Sequence, residues 1–204
     1  MARLFCYGTR YSHCFCSETE EKLNLKKSLS QFILFKIFKW KIDGAFPKEL
    51  QKYIIIVAPH THWYDFILGV LIKYVTELPS NFIGKASLFK KPFGFIFKAI
   101  GGVPVQRNKN NNLVASTIDI FNSREKFIMA LAPEGTRKKV DIWKTGFYHI
   151  AKGANTPIVR VIFDFNKKVV SILPPFNLTE NMENDLKELR SVYKDVKGKI
   201  PKYS

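Results

Sequence analysis

Cysteine is scarce in this chain of 204 residues, and its three cysteines, Cys6, Cys14 and Cys16, all lie at the beginning. The rest of the chain can therefore hold neither a disulfide framework nor a thiol nucleophile, which is typical of a protein from a reducing compartment. The spacing of these cysteines around His13 matches no standard zinc motif, so we expect no metal site there. A Gly-x-Ser-x-Gly motif is also missing, which argues against a serine nucleophile on a strand-to-helix elbow.

Long apolar runs are missing as well. The chain contains no stretch of about 18 uncharged apolar residues, so we expect no membrane-spanning helix. Arg10 interrupts the apolar residues near the start, which leaves no room for the hydrophobic core of a signal peptide. We therefore interpret residues 1–22 as a mobile tail or a misassigned start of the chain.

The sequence predicts a different kind of membrane contact. It would be made by the short apolar segment from Gln31 to Trp40, which also carries lysines. On a helix its phenylalanine and isoleucine side chains can gather on one side, while Lys36 and Lys39 extend towards water. This pattern predicts an amphipathic helix within residues 23–43 that lies in the plane of a membrane surface. A helix packed on the protein core fits the same pattern, so both interpretations stay open.

Acidic residues are few: the chain has 17 of them and 33 basic residues, which gives a net charge of +16. A lysine-rich excess favours contact with anionic lipid head groups or with nucleic acid, although a biased genome composition explains part of it. No nucleic-acid-binding motif is visible. We therefore expect an anionic membrane surface as partner, no nucleic acid, and a peripheral location on the cytoplasmic face of the cell membrane.

The order of predicted elements indicates one α/β domain over residues 44–204, because apolar β-branched runs alternate with segments of helical pattern. We predict a central, mostly parallel or mixed sheet flanked by helices and preceded by the N-terminal amphipathic helix. The predicted strands lie at 53–58, around 82–83, and at 103–106, 127–131, 158–163 and 169–173; the predicted helices lie at 63–75, 92–100, 113–121, 146–152 and 183–196.

The residues between the first predicted strand and the following helix carry the strongest functional signal. His60 follows Ala58-Pro59, and Asp65 lies in the first helical turn. This places both residues at the carboxyl end of a strand, where α/β sheets hold their chemistry. Residues five apart do not share a helical face, so His60 can meet Asp65 only if the turn folds back. A histidine oriented by a carboxylate is a general base with a fixed tautomer.

Three further blocks follow this His-x-x-x-x-Asp motif: Gly101 to Arg107, Pro133 to Arg137, and Thr156 to Val161. In this order and at these separations, the four blocks resemble those of the glycerolipid acyltransferase family. The resemblance extends from about Gly44 to Val161. One departure concerns His62, because the family usually has serine at that position. His62 is therefore a second candidate for the base, or a core, capping or acceptor-binding residue, although only His60 has the family's spacing to Asp65.

The resemblance implies an O-acyltransferase without a cofactor. Its donor would be acyl-CoA or an acyl carrier protein, and its acceptor the hydroxyl of a lysophospholipid such as 1-acylglycerol-3-phosphate. His60 and Asp65 would be catalytic. Arginine offers a planar fork for phosphate oxygens. The implied substrate-binding residues are Arg107, Glu134, Gly135, Thr136 and Arg137. Lys85 is a further candidate for a phosphate contact, and a solvated loop lysine is its equal alternative.

Two other functions compete with acyl transfer. A basic, non-catalytic module that binds lipid surfaces would explain the charge and the 18 phenylalanines. A metal-dependent hydrolase would use His60, His62 and Asp65 as ligands, but such a site needs further ligands, and only His13 and His149 are left among the histidines.

Overall fold

The computed structural model describes residues 23–90, 92, 94–105 and 113–204. Its centre is a seven-stranded sheet in the order β1-β7-β6-β2-β5-β3-β4. All neighbouring strands run parallel except β6 and β7, which are antiparallel, so the predicted mostly parallel, mixed sheet is confirmed. The strands are β1 Lys41–Asp43, β2 Lys52–Ala58, β3 Ser80–Lys85, β4 Gly102–Val105, β5 Phe127–Leu131, β6 Ile158–Asp164 and β7 Val169–Ile172.

Helices flank this sheet, as predicted. The first, α1, comprises residues 23–37; residues 23–31 are α-helical and Phe32–Ile37 are π-helical. The others are α2 Tyr64–Val75, α3 Gly94–Ala99, α4 Leu113–Asn122, α5 Gly146–Gly153 and α6 Met182–Ser191, with short 3-10 segments at Ala86–Phe89 and Pro201–Tyr203.

Strand β2 lies at the centre because its residues are apolar on both faces. Ile54 and Ile56 pack into a core with α4, α5 and α6, whereas Tyr53 and Ile55 pack into a second core with α1 and α2. All four side chains are at most 2% exposed. A strand covered by helices on both faces reads as a continuous apolar run, which is why the sequence predicted it almost to the residue.

The N-terminal helix is shorter than predicted. It ends at Ile37, and Lys41–Asp43 forms β1 instead of continuing the helical segment. The Trp40 N–H donates to the Leu34 carbonyl, and Lys39 between them has a φ of 57°, which turns the chain out of the helix. β1 then pairs with the free edge of β7, so the backbone N–H and C=O groups of β1 find hydrogen-bond partners there. The sequence pattern could not predict this pairing.

The apolar side chains of α1 do not all share one side. Leu34 is fully buried, and Ile33 also packs on the core. Six others on α1 are between 39% and 70% exposed: Leu23, Leu25, Leu29, Phe32, Phe35 and Ile37. This helix therefore packs on the core and also presents an exposed apolar surface, so the two interpretations of its pattern are not exclusive. Among the described residues, no helix combines the length and the apolar character that crossing a membrane requires.

Candidate active site

A five-residue loop, 59–63, connects β2 to α2 at the carboxyl edge of the sheet. The neighbouring strand β5 runs parallel to β2, with Ile56 paired to Leu131, so the loop after β5 emerges at the same edge. This adjacency brings the His60–Asp65 motif and the Pro133–Arg137 block together, although about 70 residues separate them in the chain.

Asp65, in the first turn of α2, is the hydrogen-bond acceptor around which the 59–63 loop folds. Its side chain is 2% exposed, and its Oδ2 atom accepts the Thr61 N–H at 2.8 Å and the His62 N–H at 2.9 Å. The same oxygen lies 3.1 Å from Nδ1 of His60. The loop thus folds back around one buried carboxylate. The five-residue spacing made this fold-back necessary for His60 to meet Asp65. With Nδ1 next to Asp65, Nε2 is the ring nitrogen left for a substrate proton.

The two histidines of the motif have different surroundings. The Nδ1 atom of His62 accepts the Tyr64 N–H at 3.2 Å, where α2 begins, and its ring contacts Trp63 with 5.3 Å between centroids. Only the backbone N–H of His62 reaches Asp65. The ring of His62 therefore satisfies a backbone donor at a helix start, which is the capping interpretation of this residue.

Glu134 contacts the loop from the side of β5. Its Oε2 atom accepts the backbone N–H of His60 at 2.8 Å, and the residue is 9% exposed. Burial raises the pKa of Glu134 from 4.5 to about 7; the bond from the His60 N–H opposes this shift, and the nearby Asp65 carboxylate adds to it. No described residue forms an ion pair with Glu134.

After Glu134 the block turns towards solvent, with Gly135 and Arg137 exposed and Thr136 half-buried. Gly135 has a φ of +65°, and a Cβ there would lie 2.8 Å from the Lys144 side chain, so glycine fits both the turn and the close packing. The Thr136 hydroxyl lies 3.4 Å from the Lys138 N–H, at the upper end of hydrogen-bond length. Arg137 is exposed and forms no ion pair with any described residue, which leaves its guanidinium available to a ligand.

Two predicted site residues are less defined. Arg107 lies outside the described residues. Lys85 is the last residue of β3, with its backbone paired to Val105, so it belongs to a strand end and not to a loop; its side chain is not described. No three His, Cys, Asp or Glu side chains within the described ranges come close enough together to hold a metal ion.

Residues that the sequence did not single out also reach the site. Thr61 is 1% exposed and accepts a hydrogen bond from Ile200, and Gly198 packs against it. Lys144 covers Gly135. Their separation from the motif in the chain explains why no local pattern indicated these contacts.

The pKa of Glu134 predicts a pH dependence of stability. A carboxyl group whose pKa is raised in the folded protein stabilises the fold fully below about pH 4.5, and this contribution is lost as the pH rises through about 7. We expect the free energy of unfolding to decrease by roughly 1–3 kcal/mol over this interval relative to Glu134→Gln, which has no proton to lose. Urea unfolding of both proteins at pH 5 and pH 8 measures the difference. Parallel pH profiles for the two proteins would contradict this environment for Glu134.

Within the part of the chain that the structure describes, an α/β sheet holds a histidine against a buried carboxylate at its carboxyl edge, an arrangement that suits general-base chemistry. A family model, described as Acyltransferase, matches residues 15–164. The chain therefore belongs to the acyltransferase family.

Two known acyltransferases are similar to this chain. The 1-acyl-sn-glycerol-3-phosphate acyltransferase of Haemophilus influenzae is 25% identical over 188 residues, which cover 81% of this chain and 76% of that protein. The crystal structure of the 1-acyl-sn-glycerophosphate acyltransferase of Thermotoga maritima superposes with a TM-score of 0.61 at 18% identity, over 87% of this chain and 80% of that one. The second similarity shows that the two proteins share a fold.

Proposed function

We propose that this acyltransferase moves a fatty acyl group from a thioester donor to the hydroxyl of a lysophospholipid such as 1-acylglycerol-3-phosphate. The observation that carries the proposal is the contact of 3.1 Å between His60 Nδ1 and the buried Asp65 carboxylate. This contact leaves His60 Nε2 free to accept a proton, and the His60 side chain is 22% exposed, so a substrate can reach it.

The chemistry needs no nucleophile from the enzyme, because the acceptor hydroxyl attacks. His60 Nε2 removes the hydroxyl proton while the oxygen forms a bond to the thioester carbon. Asp65 stabilises the imidazolium that results. When the tetrahedral intermediate collapses, the carbon–sulfur bond breaks and the proton passes from His60 to the departing sulfur. The products are an ester and a thiol.

The acceptor would bind beside the loop after β5. Arg137 is exposed there, and Glu134 joins this loop to the backbone of His60. A guanidinium suits a phosphate, and the Haemophilus relative carries a phosphate-bearing acceptor in its name. Arg107 and Lys85 complete the proposed set as further cations, with Gly135 and Thr136 forming the turn.

We expect Arg137→Ala and Arg107→Ala to raise the KM for the acceptor and to affect the donor less. Loss of one charge-assisted contact to phosphate costs about 1.5–3 kcal/mol, or roughly 10- to 100-fold in KM. Lys138→Ala is the matched control, because it removes a neighbouring exposed charge without the arginine fork. Steady-state kinetics with acceptors that do and do not carry phosphate measure this. An equal loss with a phosphate-free acceptor would assign the arginines another role.

The donor is acyl-CoA or an acyl carrier protein, and the decisive experiment tests both. Thiol release is followed with each donor against glycerol 3-phosphate, 1-acylglycerol-3-phosphate and other lysolipids, and mass spectrometry identifies the lipid that forms. Transfer that needs a phosphate-bearing lysolipid supports the proposal. Retention on anionic liposomes without any transfer would instead favour the non-catalytic lipid-surface module, which the exposed apolar side chains of α1 would serve equally well.

We also propose that α1 attaches the protein peripherally to the cytoplasmic face of the membrane. Phe32 is 58% and Ile37 56% exposed, and Lys36 lies between them. Apolar side chains beside lysines on a surface helix suit the boundary between lipid head groups and acyl chains, with about 1 kcal/mol added per well-placed lysine.

Membrane binding should therefore have a salt-sensitive and a salt-resistant part. High salt screens the lysines and releases a fraction of the protein from anionic vesicles, while the apolar contacts retain the rest. Replacing Phe32 and Ile37 by serine should abolish the salt-resistant fraction in vesicle sedimentation. Ile142→Ser, at a side chain that is 79% exposed outside α1, is the control and should leave it unchanged. Purely soluble behaviour of the wild type at low salt would exclude this attachment.

A further inference from the structure

The loop that carries His60 is held from outside by residues 197–204, which the chemistry above does not use. The Ile200 N–H donates to Thr61 Oγ1 at 3.1 Å. Thr61 is 1% exposed, so the acceptor of this hydrogen bond is buried. It joins positions 139 residues apart in the chain.

Gly198 packs against the same loop. A Cβ at this position would lie 2.6 Å from Thr61 Oγ1, 2.7 Å from Thr61 Cγ2 and 3.2 Å from Pro59 Cγ. The backbone at Gly198 therefore touches both neighbours of His60, and a larger residue would displace them.

The 197–204 segment is itself fixed to the body of the protein. The Phe165 N–H, just after β6, donates to the Lys197 carbonyl at 3.0 Å. The Gly198 N–H donates to Ser204 Oγ at 2.8 Å, which closes the segment into a compact turn. Lys199 Nζ lies 5.4 Å above the ring of Tyr64, at the start of α2. Because β6 is the neighbour of β2, the segment bridges the ends of two adjacent strands.

Thr61 therefore links the catalytic pair to the 197–204 segment through two hydrogen bonds. Its backbone N–H donates to Asp65 Oδ2, the oxygen that contacts the His60 ring, and its hydroxyl accepts from the 197–204 segment. The 59–63 loop has no regular secondary structure of its own, so external contacts must set its conformation. General-base catalysis depends on that conformation, since a displacement of about 1 Å costs on the order of a hundredfold in rate.

We propose that Thr61 is a positioning residue and that residues 197–204 act as a clamp, which holds the His60 loop around Asp65 in the geometry for proton transfer. The inference deepens the proposed acyl transfer and rests on it for its kinetic effect. The clamp touches no reacting atom; it acts through the backbone of Thr61.

Three variants separate positioning from stability. Thr61→Val keeps the side-chain shape and removes the acceptor for Ile200, whereas Thr61→Ser keeps the acceptor. Asn181→Ala removes a cap of α6, the bond from the Asn184 N–H at 3.0 Å, and supplies a loss of stability away from the loop. We expect Thr61→Val to lower kcat about tenfold or more with the two KM values within about twofold, and Thr61→Ser to restore kcat. Asn181→Ala should lower the Tm and leave kcat unchanged.

Gly198→Ala should also lower kcat, because its Cβ would push on the 59–63 loop. If this variant does not fold, the result for Thr61→Val decides. A wild-type kcat in folded Thr61→Val would overturn the clamp. So would a loss of kcat in Asn181→Ala as large as that in Thr61→Val, since stability alone would then explain both.

A second readout does not need the reaction. In protein labelled with ¹⁵N-histidine, the ring signals of His60, identified by their loss in His60→Gln, should shift in Thr61→Val and stay in place in Thr61→Ser and Asn181→Ala. Unshifted signals in Thr61→Val overturn the clamp, whatever the enzyme acylates. Shifted signals in a protein that transfers no acyl group support the clamp and reject the proposed function.

Discussion

His60→Ala is expected to lower kcat by about a hundredfold or more while the protein stays folded and still binds its acceptor. The variant removes the ring that contacts Asp65 at 3.1 Å and with it the nitrogen proposed to take the hydroxyl proton. It keeps the backbone N–H that donates to Glu134, so the link between the two loops is preserved. Steady-state kinetics measure kcat and the KM for the acceptor, and a thermal unfolding curve shows whether the variant stays folded.

His62→Asn is the matched control for this prediction. An asparagine oxygen can still accept the Tyr64 N–H that the His62 ring accepts now, so the start of α2 should be retained. We expect kcat within about threefold of wild type, because the His62 ring is engaged with the backbone and not with Asp65. If His62→Asn abolishes turnover and His60→Ala keeps it, the base is His62 and our assignment is wrong.

Asp65→Asn is expected to have the second large effect, also about a hundredfold or more in kcat. A single amide oxygen can still accept the two N–H groups of Thr61 and His62, so the loop should keep its fold. The neutral amide oxygen can still accept a hydrogen bond from His60 Nδ1, but it carries no charge to stabilise the imidazolium that forms on His60. The loss should therefore appear in kcat, with KM values close to those of the wild type.

Asp65→Ala separates structure from catalysis at the same position. It leaves two backbone donors without their acceptor inside the protein, which costs about 1–3 kcal/mol for each unsatisfied group. We expect a lowered Tm for Asp65→Ala and a nearly unchanged Tm for Asp65→Asn, with low kcat in both. Near-normal turnover of Asp65→Asn would show that the carboxylate only shapes the loop.

The local elements of the fold could be predicted because their patterns are local. Phe127–Leu131 was predicted to the residue, and β2 within one residue, since buried parallel strands are short apolar runs. Lys41–Asp43 could not be predicted as a strand. Its three residues are too few for a recognisable strand pattern, and it forms β1 only because the edge of β7 offers backbone groups to pair with.

The candidate site was predictable in part. The spacing of His60 and Asp65 after a strand required a fold-back, and the 3.1 Å contact shows it. The family's spacing favoured His60 over His62 as the partner of Asp65, and the ring of His60 is the one that lies against Asp65. Glu134 was implied only by the family resemblance, and its bond to the His60 backbone depends on the adjacency of β2 and β5. No local pattern indicated that Thr61 meets Ile200, because the two residues are 139 positions apart in the chain.

The amino-acid sequence by itself determined the alternation of strands and helices, the residue types at the carboxyl edge of β2, and the excess of positive charge, since each of these is a property of single residues or short segments. The tertiary structure decided which strands are neighbours, and through β2 and β5 it placed Glu134 against the His60 backbone. It also raised the pKa of Glu134 to about 7, because this group is buried, and burial exists only when distant segments pack together.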